Sequence, residues 1–199
     1  MSLCFQKISG CKAEKGVIHG RFQILHNDHV RYLMAARSKC RHLVVGITNP
    51  DPTLTRKDTT DPFRNSPQAN PLTYYERYQL VKAVLLEQGL AITEFSIVPF
   101  PINLPELYKY YVPFDALFFL TIYDKWGEKK LQMFQSNGLK TEVLWRRPLE
   151  EKGLSSTYIR KLIYQDKPWE HLVPSAAMNL LKIYNISNRI KKGYASRTE

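Results

Sequence analysis

The sequence predicts a doubly wound α/β fold: a parallel five-stranded sheet with helices on both faces and a C-terminal helical element. Three observations predict it. Short runs of strand formers alternate with stretches of helical periodicity along the whole chain. The first strand, helix and strand fit within about 30 residues, the length of a crossover unit that makes strands parallel. No internal repeat interrupts the alternation.

The stretch "KGVIHGRF" is short and apolar, is punctuated by Gly20, and reads as a buried strand ending in a turn. From Asp28 to Lys39, Val30, Leu33, Met34 and Ala36 recur near helical spacing. "RHLVVGIT" is a second strand, closed by the turn residues "NPDP". Residues 49–72 hold five prolines and little apolar content, so they are expected to be either a mobile flap over an active site or a disordered insertion. Thr73 and Glu76 form a capping-box pattern that opens a helix, with Tyr78, Val81, Leu85 and Leu86 as its buried stripe. "FSIVPFPI" is a third strand and "PELYKYY" a short helix. "FDALFFLTIY" is the most hydrophobic run and reads as a central strand. "GEKKLQMFQSNG" is a helix that stops at a glycine, and "KTEVLW" is a fifth strand. A helix from Ser156 to Gln165 follows, and one last helix from Pro174 ends in the basic "RIKKGYASR". Residues 1–165 are expected to form the α/β domain, with 166–199 as a helical extension packed on it.

Hydrophobic residues make up 44% of the 199, enough for a sizeable core. A net charge of +11 points to polyanionic partners, which are nucleotide phosphates, nucleic acid or an acidic surface. The basic residues are spread along the chain and no RNA-module aromatic signature is present, so nucleic acid is not the expected partner. Cys4, Cys11 and Cys40 lack a metal-like pair spacing and read as free thiols in a reducing cytoplasm. No apolar run reaches the ~18–20 residues of a membrane span. The N-terminus has no apolar signal-peptide core, so a cytoplasmic location is expected.

Ligands of open parallel sheets bind at the carboxyl ends of the strands. There "GRFQILHNDH" places His26 and His29 three apart, at the join between strand and helix. A helix start offers unpaired N–H groups and partial positive charge, and two imidazoles on it can donate to charge growing on a transferring phosphoryl group. The plainer alternative makes one histidine a helix cap and the other a surface residue. A zinc site finds no second ligand pair. Late in the chain, "GLSSTYIRKLI" puts Ser155, Ser156 and Thr157 at another helix start, with Arg160 in its first turn. A simple N-cap would use one hydroxyl of the three. Two such helix starts suit one triphosphate gripped from both sides.

The pair "GRFQILHNDH" and "LSSTYIR" resembles the nucleotidylyltransferase superfamily, whose signatures are H-x-G-H after the first strand and I-S-[ST]-T-x-x-R late in the chain. Its "GRFQ" lead-in, its size and its late "VP…RI" helix most resemble nicotinamide-mononucleotide adenylyltransferases of archaeal and bacterial type. The resemblance covers residues 15–192 in order of elements, and only the two motifs are specific. It implies a Rossmann-like fold and AMP transfer from ATP to nicotinamide or nicotinate mononucleotide, giving a dinucleotide of NAD biosynthesis and pyrophosphate. It also implies that Mg²⁺ accompanies ATP and that the enzyme is a homo-oligomer. Carried over, His26 and His29 contact the α-phosphate, while Ser155, Ser156, Thr157 and Arg160 hold the β- and γ-phosphates. Gly20, Arg21, Phe22 and Gln23 line the same mouth. Two positions depart from the pattern: Asp28 replaces the motif glycine and Ile24 a common proline. Asp28 would sit near the phosphates, either turned outward as a helix-start acid or holding Mg²⁺.

For the acceptor, Tyr123, Asp124 and Trp126 follow the central strand and should emerge at the same sheet edge. Trp126 either stacks on a flat base or packs beneath a loop. Asn103, Arg77, Trp145, Arg146 and Arg147 are weaker candidates, and Arg77 in "YYERYQL" reads best as a structural ion pair. The reaction class is better specified than the substrates. The same chemistry with CTP as donor or with another phosphorylated acceptor is a rival reading, as is a decayed nucleotide- or RNA-binding module.

Overall fold

The computed structural model describes residues 12–51 and 66–195. Five parallel strands form one sheet: β1 (Ala13–Gly20), β2 (Cys40–Thr48), β3 (Phe95–Phe100), β4 (Leu117–Ile122) and β5 (Lys140–Arg146). Their order is β3-β2-β1-β4-β5, so the winding reverses between β1 and β4. The helices are α1 (Asn27–Arg37), α2 (Tyr74–Glu87), α3 (Lys125–Ser136), α4 (Ser156–Tyr164), α5 (Ser175–Ile183) and α6 (Ile186–Ala195). This is the doubly wound, Rossmann-like α/β fold that the sequence predicts.

Successive strand residues point to opposite faces, and here both faces are buried. Ile18, Val45 and Phe119 pack with Leu33 of α1, Leu80 and Val84 of α2 and Ile159 of α4. Val17, Val44 and Phe118 pack on the other face with Phe134 of α3, Phe100 and Tyr108. Trp169, Val173, Ala177 and Leu181 belong to the first of these two cores, and α5 lies on α2 while α6 lies on α4.

Most expected boundaries hold within two or three residues, and the exceptions have local causes. The first strand stops at Gly20 because Phe22 takes a left-handed φ of 53° and folds its ring back, where a Cβ on Gly20 would lie 2.8 Å from the ring. The capping box opens α2 as expected: Glu76 N–H donates to Thr73 Oγ1 at 3.2 Å, and Thr73 N–H donates to Glu76 at 2.8 Å. Residues Pro105–Tyr110 form a 3₁₀ helix, closed by i→i+3 bonds such as Leu107 N–H to the Leu104 carbonyl at 2.9 Å. The single last helix is two helices, because Asn185 adopts a φ of 52° after α5. Cys4, Cys11, most of the expected flap (52–65) and residues 196–199 lie outside the described residues. Cys40 is a buried free thiol. No helix among the described residues is long and apolar enough to cross a membrane.

Candidate active site

β1 and β4 pair at Gly16–Leu117 and Val17–Phe118, in the middle of β1 and at the start of β4. Beyond that point the winding reversal opens a cleft of about 390 Å³ at their carboxyl ends. Gly20, Arg21, Phe22, His26, Asp28 and His29 line it from the β1–α1 turn. Ser155, Ser156 and Thr157 line it from the start of α4, so the two motifs, more than 120 residues apart in sequence, share one cleft. Asn103, Tyr123, Asp124, Trp126 and Trp145 also reach it.

The two imidazoles stack, with ring centroids 3.7 Å apart and planes 24° from parallel. His26 is the N-cap of α1, and its backbone N–H donates to His29 Nδ1 at 3.3 Å. His29 therefore caps the helix and carries its neutral-ring proton on Nε2. Burial pushes the His26 pKa down to about 4, against a smaller upward pull from Asp28. Burial, then the neighbouring His26 and Arg21, holds His29 well below the ordinary histidine value. Both rings are neutral hydrogen-bond donors at pH 7. His26 Nδ1 is buried and has no hydrogen-bond partner among the described residues.

The start of α4 is wired differently. Ser155 is its N-cap, accepting from Tyr158 N–H at 3.1 Å. Ser156 donates its hydroxyl to the Ile24 carbonyl at 2.8 Å, and Thr157 Oγ1 accepts from Arg160 at 3.1 Å. Each of the three hydroxyls thus has a partner within the protein. What α4 adds to the cleft is its first N–H groups, which a helix leaves unpaired.

Three expected contacts are placed differently by the structure. Arg160 is buried and outside the cleft lining, and its guanidinium donates to the Gln23 carbonyl, bracing one motif against the other. Gln23 is also buried; its amide donates to the Leu72 carbonyl and accepts the Leu72 N–H, both at 2.9 Å, so it does not line the mouth. Arg77 forms no ion pair with its neighbour: it donates to the carbonyls of Arg21, Thr48, Asn49 and Thr73, tying the ends of β1 and β2 to α2. Glu76 pairs instead with Arg189 at 2.7 Å.

Both carboxylate oxygens of Asp28 are engaged within the protein. Its Oδ2 accepts the Leu154 N–H at 2.6 Å and its Oδ1 pairs with Arg31 at 3.0 Å. Gly153 must be glycine to permit this: its φ is 73°, and a Cβ there would lie 2.3 Å from Asp28 Oδ2. Asp28 therefore clips the α1 motif to the loop that leads into α4.

On the acceptor side, Asp124 is the N-cap of α3. Burial raises its pKa, but the Gly127 N–H at 2.9 Å and Lys152 at 3.4 Å hold it below the ordinary value. Tyr123 accepts from Trp145 Nε1 at 2.5 Å, and Lys152 sits 5.8 Å over its ring. Trp126 is half-buried on the cleft wall, with Lys129 5.7 Å over its ring. Arg146 pairs with Glu128, and Arg147 lies over Trp145, both outside the main cleft. His19, Lys130 and Lys152 also line the cleft and were not singled out from the sequence. His19 lies inside a strand pattern, and the two lysines lie in ordinary charged stretches, so no local signal marks them.

The profile of the cytidylyltransferase-like family matches residues 17–162, the span from β1 into α4. The chain belongs to that family. Its members are nucleotidyltransferases, and this family assignment makes the chain an enzyme of that class. Among relatives of this cytidylyltransferase-like chain, a phosphonoformate cytidylyltransferase of Streptomyces viridochromogenes is 50% identical, covering 90% of this chain and 96% of its own. A nicotinamide-nucleotide adenylyltransferase of Thermococcus onnurineus is 29% identical over 89% of this chain and 87% of its own. The fold of a bifunctional NMN adenylyltransferase/ADP ribose pyrophosphatase of Francisella tularensis superposes with a TM-score of 0.67 at 13% identity. That match covers 94% of this chain and about half, 54%, of the other.

Proposed function

We propose that this enzyme transfers a cytidylyl group from CTP to a small phosphonate such as phosphonoformate, with release of pyrophosphate. The observation that carries the choice of donor and acceptor is the 50% identity, over nearly the whole chain, to the phosphonoformate enzyme, against 29% to an adenylyltransferase. The sequence favoured ATP and a mononucleotide, with CTP as the rival donor.

In this reading a phosphonate oxygen attacks the α-phosphorus in line, the bond from that phosphorus to the bridging oxygen breaks, and pyrophosphate leaves. No protein nucleophile is needed, and catalysis comes from positioning and from charge stabilisation. The neutral His26 and His29 rings donate to the α-phosphate oxygens as charge accumulates there. The N–H groups at the start of α4 receive the β- and γ-phosphates. Lys130 and Lys152 supply positive charge beside the acceptor. No group of three or more His, Cys, Asp or Glu side chains among the described residues could hold a metal, and Asp28 and Asp124 are both engaged within the protein. Mg²⁺ is proposed to enter on the nucleotide's own phosphate oxygens, where it would neutralise charge.

Pyrophosphate release tests the reading. CTP with phosphonoformate should support turnover, and ATP should not replace CTP efficiently. A second reading, ATP with nicotinamide or nicotinate mononucleotide, is favoured by the position of Trp126 on the cleft wall, where a flat base could stack. Turnover with that pair, and none with CTP and phosphonoformate, would install it instead.

A further inference from the structure

His19 is a buried histidine that the mechanism above leaves unused. It lies on β1 opposite Gly46 of β2, and its side chain lines the cleft although it is only 5% exposed. Neither ring nitrogen has a hydrogen-bond partner among the described residues. Phe134 meets the ring edge-on, with centroids 5.3 Å apart, and Phe100 meets it at 5.9 Å. These neighbours hold the imidazole in place without satisfying it.

Such an arrangement is costly in the empty protein. Leaving a buried polar atom unpaired costs about 1–3 kcal/mol, and a leucine or phenylalanine would suit this aromatic surrounding better. Lys130 lines the same cleft, and its charge, after burial, is the second influence holding His19 neutral. A neutral ring donor beside a cationic side chain fits an anion, which accepts from both. The position separates this pair from the phosphate grips: His19 shares the α3 face of the sheet with Phe100 and Phe134, whereas α1 and α4 lie on the other face. An anion at His19 thus belongs to the acceptor rather than to the triphosphate.

We propose that His19, with Lys130, is the acceptor-specificity site of this cleft and recognises a carboxylate attached next to the acceptor's phosphonate. The proposal rests on the reading that the acceptor is a small phosphonate. It assigns the two acid groups of such a molecule separate places: the phosphonate oxygen toward the α-phosphorus, and the carboxylate toward His19.

The test uses the full chain with CTP, Mg²⁺ and two acceptors, phosphonoformate and methylphosphonate, the second lacking the carboxylate. The wild-type enzyme should prefer phosphonoformate in kcat/KM, and His19→Leu should reduce that preference by roughly tenfold or more, chiefly through the KM for phosphonoformate. His19→Gln, which keeps a donor, should recover part of it. An unchanged preference in His19→Leu, or an equal loss with both acceptors, overturns the proposal. Independently of turnover, phosphonoformate should shift the ¹⁵N resonances of the His19 ring in the wild-type protein. Unmoved resonances overturn the proposal even if His19→Leu fails to fold. If wild-type enzyme releases no pyrophosphate with either acceptor, the proposed function falls, and the ring-nitrogen titration alone decides whether His19 binds the anion.

Discussion

At the start of α1 two neutral imidazoles stack in the cleft, and one of them keeps a buried nitrogen with no partner among the described residues. At the start of α4, Ser155, Ser156, Thr157 and Arg160 all bond to the protein itself. The two helix starts look alike in sequence, as polar residues at the head of an amphipathic helix, yet they divide the work. In the proposed mechanism one carries the side chains that meet the reacting phosphate. The other carries side chains that hold a set of backbone donors in position.

Breaking the first region should show in the reaction. His29→Ala is expected to lower kcat by about 10²–10³, the loss seen when one transition-state donor is removed, while CTP affinity measured by calorimetry changes only a few-fold. Equal losses in kcat and affinity would make His29 a binding or capping residue only. Breaking the second region should show in stability. Arg160→Met strands the Gln23 carbonyl in the core and removes the brace between the motifs, so unfolding should become easier by about 1–3 kcal/mol. A stable Arg160→Met protein with a selectively reduced kcat would erase the contrast between the two helix starts.

The Asp28 clip sharpens the comparison because it joins the two regions. Gly153→Ala should destabilise by about 1–2 kcal/mol, both through its positive φ and through contact with Asp28. In the Asp28→Gly background the contact disappears and only the backbone strain remains, so the cost of Gly153→Ala should shrink. Additive costs in thermal unfolding would show that the carboxylate does not constrain the loop.

Much of this was legible in the sequence. Periodicity and turn residues predicted all five strands, because a sheet buried on both faces needs continuous apolar runs such as "LFFLTI". His26 and His29 could be placed because a strand–turn–helix join determines where such residues emerge. The roles of Gln23, Arg160 and Arg77 could not, because each is defined by a carbonyl or N–H distant in the chain: Leu72, Gln23, Thr48. A polar residue near a motif reads as a ligand contact when its backbone partner cannot be seen. His19 was missed for the opposite reason, since it sits in a strand pattern and only the packing of Phe100 and Phe134 reveals that it is unsatisfied. Asp124 reads as a site residue in sequence and is the cap of α3, which starts two residues earlier than the glycine at 127 suggested.

The gentlest probe of the contrast is pH, applied to the protein without ligand. His26 has a folded pKa near 4, below the roughly 6.5 of an unfolded histidine, and His29 is lowered in the same direction. Between those values the unfolded chain binds protons that the folded chain refuses, so stability must rise with pH there and fall as pH drops from about 6.5. Each such histidine contributes a slope of up to about 1.4 kcal/mol per pH unit in that window. The start of α4 holds no group of this kind: Arg160 stays charged throughout, and hydroxyls do not titrate. Denaturant midpoints measured between pH 7 and pH 5 should therefore decline in the wild-type protein and decline less steeply in His26→Asn. An equal slope in the two proteins would mean that the acid sensitivity lies elsewhere, and that the stacked pair is already charged or solvated in the folded state. If the slope does flatten, the neutral rings are a measured property of the α1 start, and an anion in the cleft should raise their pKa values toward the unfolded value and so reduce the loss of stability between pH 7 and pH 5.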